Sequence, residues 1–348
     1  MKVLVLGGSG YIGERLCALL QASGWATPVA AARRPRNPAQ MVLDTRDQAS
    51  MAAALAQVQA VVNCVAGSAQ AIAEGAAVLA RAAAAVGGVH VVHLSSMSAY
   101  GAREGLVDES VPLHPGLGWY GRAKVQAESH MAMLARDGTR VTVFRPGCVT
   151  GPGSALWVGR IARWLAAGRL GDLGEHGDGW SNLVHVDDVC RAVMAALQAP
   201  GARGRLQAYN LSAPDSPRWN EYFADLALAT GATPLRRVRQ GQLRLDAYVA
   251  GPPLHVARKL AGRLGQDPAR VPDPITPGLL GLWQRQLRLD SGAATKDLKL
   301  AWTPYARTLH QSASWYLSSD DVPMPQRLAR SARAGNARVQ RVGTAKGE

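Results

Sequence analysis

The chain has 348 residues, enough for one large α/β domain or for a nucleotide-binding domain with a smaller second region. Hydrophobic residues make up 47% of the chain, which excludes global disorder. The formal net charge of +14 is compatible with nucleic acid, acidic substrates or phosphorylated cofactors, and does not choose among them.

Cysteine usage and the N-terminus bear on the compartment. Cys17, Cys64, Cys148 and Cys190 are widely spaced without paired ligand spacing, so we expect neither a metal site nor a disulfide framework. The apolar run 3–6 is too short for the core of a signal peptide, and we expect no stretch that spans a membrane. The prediction is a cytoplasmic protein without a membrane partner.

The N-terminal residues carry the pattern of a dinucleotide-binding loop. A short apolar strand over 2–6 leads into Gly-Gly-Ser-Gly-Tyr-Ile-Gly at 7–13, and helical periodicity then runs over 14–23. This context favours a dinucleotide site over a plain structural turn, because the glycines let the backbone approach a pyrophosphate at the helix N-terminus. The candidate cofactor-binding residues of this loop are Gly7, Gly10, Tyr11, Ile12 and Gly13.

Two arginines follow the next predicted strand, 28–32. The dinucleotide pattern places an acid about twenty residues beyond the glycines for NAD, or an arginine nearby for the 2′-phosphate of NADP. Arg33 and Arg34 occupy that place, and the first carboxylate after them is Asp44. NADP is therefore predicted over NAD, which stays possible; the alternative is that both arginines are solvated loop charges.

Strand and helix alternate through the rest of the first 100 residues. A predicted strand over 41–45 ends in Asp44 and Thr45, where Asp44 could meet the adenine or could instead cap the helix over 51–56. The strand over 60–65 ends in Ala66, small enough for a cofactor to approach. A helix over 69–86 and a strand over 89–94 follow, which predicts a Rossmann-type doubly wound parallel sheet of the α/β class.

A candidate proton-transfer group follows that last strand. The strand ends in hydroxyls at Ser95 and Ser96, and a helical pattern begins near residue 119. Tyr120 and Lys124 are four residues apart on one face of this helix, so a phenol and an ammonium lie close together. A phenol, an ammonium and a hydroxyl at a strand end are suited to moving a proton.

The second half of the chain is less regular. We assign 1–150 to the dinucleotide-binding core, with further core elements near 182–212, and 151–317 mainly to a smaller substrate-binding or lid region. The segment 318–348 is basic with little apolar content, and we expect it to be disordered.

Together these motifs resemble the extended short-chain dehydrogenases/reductases, the NAD-dependent epimerase/dehydratase family. The resemblance covers residues 1 to about 317. It rests on the glycine spacing, on a serine pair before Tyr-Gly, on a YxxxK arrangement and on later landmarks: Gly7, Gly10, Gly13, Ser95-Ser96, Tyr100-Gly101, Tyr120, Lys124, Arg145-Pro146-Gly147, Val184-His185-Val186-Asp187-Asp188, and 289–316.

The resemblance implies a catalytic set of Ser96, Tyr120 and Lys124. Tyr120 would be the general acid/base, and Ser96 would bind the substrate oxygen. Lys124 would hold the nicotinamide ribose, and we expect its charge, with that of the nicotinamide, to lower the pKa of the Tyr120 phenol. Pro146 joins the candidate cofactor contacts. Each of these side chains taken singly could instead be structural.

Departures from the family pattern bear on the substrate. Met97-Ser98 stands where family dehydratases place an acidic pair, which disfavours dehydration. Cys148 and Ser181 stand where nucleotide-sugar epimerases commonly carry an Asn and an Arg for the diphosphate, and neither neutralises a phosphate. The candidate substrate contacts are Met97, Val149 and Trp157.

His185 lies inside an apolar run, so we interpret it as a core histidine rather than a second acid/base. Asp187 and Asp188 are predicted to cap the helix that follows it.

The leading functional prediction is an NADP-dependent oxidoreductase acting on the carbonyl or hydroxyl of a non-nucleotide small molecule. The first alternative is an NAD-dependent nucleotide-sugar epimerase. The second is an RNA-binding or regulatory family member, which the basic C-terminal segment would suit, although the complete catalytic set disfavours a nucleic-acid partner. By analogy, a homodimer is possible.

Overall fold

The computed structural model describes residues 1–116, 118–267 and 271–319, and the chain forms two compact units. The first unit comprises Met1–Val149, Asn182–Ser216 and Gln286–Pro304. The second comprises Thr150–Ser181, Pro217–Arg285 and the described residues from Tyr305 onward. The basic segment expected to be disordered lies outside the described residues, apart from its first two serines.

The strands and helices are numbered in chain order. The strands are β1 (Lys2–Leu6), β2 (Thr27–Ala32), β3 (Met41–Val42), β4 (Ala60–Asn63), β5 (His90–Leu94), β6 (Gly105–Val107), β7 (Val141–Pro146), β8 (Cys148–Thr150), β9 (Leu183–His185), β10 (Leu206–Leu211) and β11 (Leu287–Leu289). The helices are α1 (Tyr11–Ser23), α2 (Gln48–Leu55), α3 (Ala69–Val86), α4 (Gly118–Arg136), α5 (Arg160–Ala166), α6 (Val186–Gln198), α7 (Trp219–Thr230), α8 (Gln240–Leu245), α9 (Gly251–Arg263), α10 (Pro277–Gln284), α11 (Gly292–Asp297) and α12 (Tyr305–Ser318).

Seven of these strands form one parallel sheet in the order β10-β7-β5-β4-β1-β2-β3. The apolar inner strands are buried on both faces, as a parallel sheet covered by helices requires. One face packs against α2, α3 and α4, and the other against α1 and α6. The predicted doubly wound parallel sheet is confirmed.

A late segment of the chain, Gln286–Pro304, also belongs to the first unit. β11 pairs in parallel with β6, with Leu289 beside Val107. Asn182 accepts a 2.8 Å hydrogen bond from the Leu289 backbone N–H and donates one to the Leu287 carbonyl. The sequence indicated later core elements only near 182–212, so the membership of Gln286–Pro304 is an addition to that assignment.

Helix α3 has the bounds that the sequence predicted. Ser68 caps it by accepting a 3.1 Å hydrogen bond from the Ala71 N–H, and glycine follows its last residue. By length and composition alone α3 is apolar enough to cross a membrane, which corrects our expectation that no stretch is. Its inner side chains, including Ile72 and Leu79, are buried in the core beside the sheet.

Two predicted helix caps are wrong. The N-cap of α2 is Asp47, which accepts from the N–H groups of Ala49 and Ser50, and not Asp44. The N-cap of α6 is His185, whose Nδ1 accepts from the Asp187 N–H at 3.1 Å. Asp187 and Asp188 lie one and two residues inside the helix, and their carboxylates pair with Arg15 and Arg191.

The second unit is built around tryptophan. Trp164, Trp219 and Trp283 are fully buried and, with Tyr222 and Phe223, form a chain of edge-on and tilted ring contacts 5.5–6.3 Å apart. Helix runs without interruption from α8 through a π-helical turn, Asp246–Ala250, into α9. The turn lies just before Pro252-Pro253, which cannot donate backbone hydrogen bonds.

Candidate active site

The predicted site residues of the first unit follow the carboxyl ends of neighbouring parallel strands. The glycine loop follows β1, Arg33 follows β2, and Ser96 lies two residues beyond the end of β5. Because these strands belong to one parallel sheet, in which only β4 separates β5 from β1, their carboxyl ends lie along the same edge, where open α/β sheets bind ligands. Pro146 ends β7 at the same edge and is buried, whereas Ala66, beyond β4, is exposed.

The glycine loop is packed too closely for side chains. Gly7 has a φ of +74°, and a Cβ on Gly13 would clash with the Gly7 carbonyl oxygen. A Cβ on Gly8 would lie 2.8 Å from the Cβ of Ala30 in β2. Helix α1 begins at Tyr11 without a side-chain cap, so its N-terminal N–H groups suit an anion. The loop therefore fits the pyrophosphate of a dinucleotide.

Arg33 and Arg34 are both exposed, and within the described part of the chain neither has a hydrogen-bonded or ion-paired partner. The nearby carboxylate of Asp44 is engaged: it accepts hydrogen bonds from the backbone and side chain of Arg46, with an ion-pair distance of 3.0 Å. The hydrogen bond from the Arg46 side chain is the main cause that lowers the pKa of Asp44. Thr45 packs against Gly75 of α3.

Ser96 and Tyr120 are brought together by the turn after β5. The Ser96 Oγ accepts a 3.2 Å hydrogen bond from the Ser98 N–H, which fixes the start of a short 3₁₀ helix over Met97–Tyr100. The side chains of Ser96 and Tyr120 are hydrogen-bonded to each other. Helix α4 approaches this turn so closely that a Cβ on Gly121 would lie 2.8 Å from the Ser98 carbonyl oxygen.

Lys124 is buried beneath Tyr120. Lys124 is only 2% exposed, and its Nζ donates a 2.7 Å hydrogen bond to the Leu94 carbonyl. The same nitrogen lies 5.7 Å from the centre of the Tyr120 ring. An ammonium has three donors, so two remain for a ligand such as ribose hydroxyls. Burial lowers the pKa of Lys124 to about 8, although Cys64 and Glu128 act in the opposite direction.

The expected lowering of the Tyr120 pKa is not found in the chain alone. Burial raises the pKa of the Tyr120 phenol above its ordinary value, and the hydrogen bond with Ser96 opposes that rise. The physical reason is desolvation, which penalises a phenolate more than the neighbouring groups stabilise it. Tyr120 is thus held as a neutral phenol, the form that can donate a proton.

Sequence reasoning missed a buried polar network behind the site. Arg145 makes a two-pronged ion pair with Glu128 of α4, with a shortest distance of 2.8 Å. Its Nη1 also donates to the Tyr100 hydroxyl at 2.8 Å, and that hydroxyl donates to the Asn210 side chain at 2.7 Å. The position of Glu128, four residues after Lys124, was the available signal, since it places Glu128 on the same helical face.

A second missed pair lies under the sheet edge. The Asn63 Nδ2 lies 3.2 Å from the His93 Nδ1, and the Asn63 Oδ1 accepts from the Val65 N–H, which makes the amide nitrogen the donor. Among the described residues, nothing accepts from His93 Nε2. Burial, and secondarily the charge of Lys124, lower the pKa of His93 to about 3. His93 is therefore a neutral neighbour of Lys124.

The candidate substrate contacts divide between the units. Met97 and Val149 belong to the first unit and are each 8% exposed. Trp157 belongs to the second unit, where it stacks at a tilt on Trp219 and its carbonyl accepts from the Tyr222 hydroxyl. Their contact with substrate stays a prediction.

The segment around His185 is occupied with structural contacts. His185 caps α6, and Asp187 makes a 2.6 Å ion pair with Arg15 of α1. Asp188 is buried, pairs with Arg191 and accepts hydrogen bonds from the backbone and hydroxyl of Thr303. These contacts support the structural interpretation of His185. In the parts of the chain that the structure describes, no three His, Cys, Asp or Glu side chains are grouped to hold a metal ion.

Comparison with known proteins places the chain in a family. A model of the NAD dependent epimerase/dehydratase family matches residues 3–212. Protein YeeZ of Escherichia coli strain K12 is 34% identical over 144 residues, which is 41% of this chain and only 47% of YeeZ, so the chain matches about half of that relative. The 2-alkyl-3-oxoalkanoate reductase of Stenotrophomonas maltophilia is 30% identical over 67% of this chain and 76% of its own.

Solved structures show the same fold. The UDP-glucuronic acid 4-epimerase of Bacillus cereus, solved in complex with NAD, superposes with a TM-score of 0.69 at 16% identity. The superposition covers 93% of this chain and 99% of that one.

Proposed function

Because the chain belongs to the NAD-dependent epimerase/dehydratase family of extended short-chain dehydrogenases/reductases, we propose that it is an NADP-dependent reductase of a ketone or aldehyde. The observation that carries the proposal is the grouping of Ser96, Tyr120 and Lys124 at the end of β5. Their hydroxyl, neutral phenol and buried ammonium are the groups that carbonyl reduction needs.

In the proposed reaction the glycine loop would hold the cofactor, which when bound would supply the hydride that the carbonyl carbon accepts. The Tyr120 hydroxyl donates its proton to the carbonyl oxygen, so the product is the alcohol. The Ser96 hydroxyl donates a hydrogen bond to the same oxygen and stabilises its developing negative charge. Lys124 holds the ribose with its remaining donors, and its charge stabilises the phenolate left on Tyr120. The reverse reaction uses the same groups.

Removal of the acid is the first test. Tyr120→Phe keeps the ring and its packing and deletes only the hydroxyl, so we expect NADPH binding to persist while carbonyl reduction falls by roughly 10²–10⁴-fold. Tyr248→Phe is a matched control, because this exposed tyrosine lies on the outward face of another helix. Reduction at the wild-type rate by Tyr120→Phe would refute the assignment of Tyr120.

The preference for NADP rests on Arg33 and Arg34. Both are exposed and without partners among the described residues, while the first carboxylate after them is already paired with Arg46. Two exposed arginines that can meet a 2′-phosphate favour NADP(H), and the Asp44 carboxylate is engaged by Arg46 rather than left for the 2′-hydroxyl of NAD. Arg33→Asp should weaken NADPH binding at least tenfold and leave NADH binding within a few-fold, measured by calorimetry. Arg136→Asp, an exposed arginine on α4, is the control. Tighter binding of NADH than of NADPH to the wild type would overturn this preference.

The substrate is proposed to be a non-nucleotide carbonyl compound. Cys148 is 1% exposed and Ser181 fully buried, and neither bears a charge for a diphosphate. The Stenotrophomonas relative is a reductase of 2-alkyl-3-oxoalkanoates, which supports an apolar ketone of this kind. A panel of 3-oxo acids and simple ketones, with NADPH oxidation as the signal, tests the class.

A nucleotide-sugar epimerase using NAD is the second candidate. It is favoured by fold neighbours such as the Bacillus cereus UDP-glucuronic acid 4-epimerase, solved with NAD. Turnover of a UDP-sugar with tightly retained NAD and no net change in cofactor absorbance would establish it over the reductase. We further propose a cytoplasmic protein, and no RNA-binding role, because the catalytic set of Ser96, Tyr120 and Lys124 is complete.

A further inference from the structure

An exposed apolar surface of the second unit lies on the helix Gln240–Arg263, which comprises α8, the π-helical turn and α9. At about 1.5 Å per residue, this helix is about 36 Å long. Its outward apolar side chains recur at helical spacing: Leu245, Tyr248, Val249, Val256 and Leu260, with Leu264 just beyond its end. They are between 49% and 73% exposed.

The opposite side of the same helix is buried. Leu243, Ala247 and Ala261 are each at most 7% exposed. The outward apolar side chains from Leu245 to Leu260 form what we call the apolar stripe. On a helical wheel of about 100° per residue, the three buried residues lie opposite the centre of this stripe. The apolar stripe is therefore not the face by which this helix packs into the core of the unit. It is a second apolar face on a helix whose first face already packs into the unit.

The charges around the stripe are of one sign. Arg244, Lys259 and Arg263 are exposed and lie beside or between the apolar side chains. The only acid between residues 239 and 266 is Asp246, and it is neutralised by an ion pair with Arg169 at 2.5 Å. An apolar stripe bordered by Arg and Lys, without a free carboxylate, is complementary to an apolar layer beneath negative charges.

The same charges disfavour two other occupants. A second copy of this chain would bring its own basic border against the first, and like charges repel. The C-terminal segment 322–347 carries Arg and Lys but no Asp or Glu, so it is repelled in the same way.

We infer that this outward face is a docking surface for an anionic membrane surface, on which Gln240–Arg263 lies in the plane of the headgroups. The apolar side chains enter the acyl boundary, and Lys259 and Arg263 meet lipid phosphates. The inference concerns peripheral binding and is independent of the proposed reductase activity.

The test is sedimentation of the full-length protein with vesicles of phosphatidylcholine alone or of phosphatidylcholine with phosphatidylglycerol. We expect binding to the anionic vesicles that weakens as salt is raised, and at least tenfold weaker binding to phosphatidylcholine. Val256→Asp and Leu260→Asp should each reduce binding to anionic vesicles at least tenfold. Lys259→Glu with Arg263→Glu should reduce it and flatten its salt dependence.

Leu228→Asp is the matched control, because Leu228 is a 71% exposed leucine on α7 of the same unit. It should bind vesicles like the wild type. Circular dichroism and NADPH binding establish that every variant is folded.

Three results would overturn the inference. The first is no binding of the wild type to either vesicle at low salt. The second is equal binding by the wild type and the stripe variants, which would assign binding to the basic C-terminal segment. The third is a wild-type dimer, seen by light scattering, that Leu260→Asp dissociates, which would make the face a subunit interface.

Discussion

The ammonium nitrogen of Lys124 lies 5.7 Å from the centre of the Tyr120 ring, one turn away on α4. Burial acts on the two groups in opposite directions. It raises the pKa of the phenol and lowers that of the ammonium to about 8. Because desolvation penalises the charged form of each group, the site is arranged to keep Tyr120 protonated and to make the charge of Lys124 easy to lose.

The rate of carbonyl reduction should depend on pH through the charge of Lys124. The kcat/KM for reduction should be nearly constant below about pH 8 and should fall above it, since Lys124 then loses the charge that stabilises the Tyr120 phenolate. The measurement is NADPH oxidation at saturating cofactor between pH 6 and 10, with the NADPH dissociation constant followed in parallel. A rate of reduction that rises with pH would contradict the assignment.

Lys124→Met should make the protein more stable while it abolishes reduction. The pKa of Lys124 is about 8 in the folded state and roughly 10.4 in the unfolded state. Below pH 8 the lysine is charged in both states, so burying that charge lowers the free energy of unfolding by its full amount. Between these values the unfolded state holds more protons, so wild-type stability rises with pH. The variant should therefore be more stable by roughly 2 kcal/mol at pH 7, after the loss of the hydrogen bond to Leu94, and by less near pH 10. Urea unfolding at both pH values measures this, and a destabilised variant at pH 7 would be the opposite result.

The buried ion pair of Arg145 and Glu128 provides a stability test. Their side chains are 7% and 4% exposed. Glu128→Ala leaves the guanidinium buried without its counter-charge, and we expect it to cost about 3–5 kcal/mol in the free energy of unfolding. The double variant Glu128→Leu with Arg145→Met should recover most of that loss, because both charges are gone. A cost below about 1 kcal/mol for Glu128→Ala would show that the pair is not desolvated.

His93→Leu tests the neutral histidine beneath the site. Burial lowers the pKa of His93 to about 3. As the pH falls below about 6.5, His93 is therefore protonated in the unfolded state while it stays neutral in the folded state. The stability contributed by neutral His93 is present above pH 6.5 and is lost as pH falls toward 3. Between pH 7 and pH 4, the free energy of unfolding of the variant should fall by roughly 2–3 kcal/mol less than that of the wild type. His310→Leu, at an exposed position, is the control, and a loss in His93→Leu as large as that of the wild type would refute the prediction.

Local signals in the sequence were sufficient to predict the alternation of strands and helices in the first 100 residues. The helix 69–86 was predicted with its observed bounds, and the structure shows Ser68 as its N-cap and Gly87 after its last residue. The glycine loop was identified because its neighbours in sequence are also its neighbours in space. The same locality explains why the spacing of Tyr120 and Lys124 correctly placed them together.

Features that depend on distant partners were missed. Asp187 could not be recognised as anything but a cap, since its partner Arg15 is 172 residues away. The rise in the Tyr120 pKa that burial causes in the chain alone could not be foreseen, because that burial comes from tertiary packing, while only the charged neighbour on the helix was visible in the sequence. The exchange of bonds between Asn182 and β11 likewise joins residues more than 100 positions apart.

That last connection has a consequence for biosynthesis. Chains are made from the N-terminus at about 5–20 residues per second, and domains tend to fold as they emerge. Here Asn182 and Asn210 form hydrogen bonds with backbone groups of Leu287, Leu289 and Asp290, so these bonds can form only after the ribosome has delivered that late segment. A nascent chain stalled before residue 286, or a gene truncated there, would release an unfinished nucleotide-binding unit and a natural substrate for chaperones and proteases.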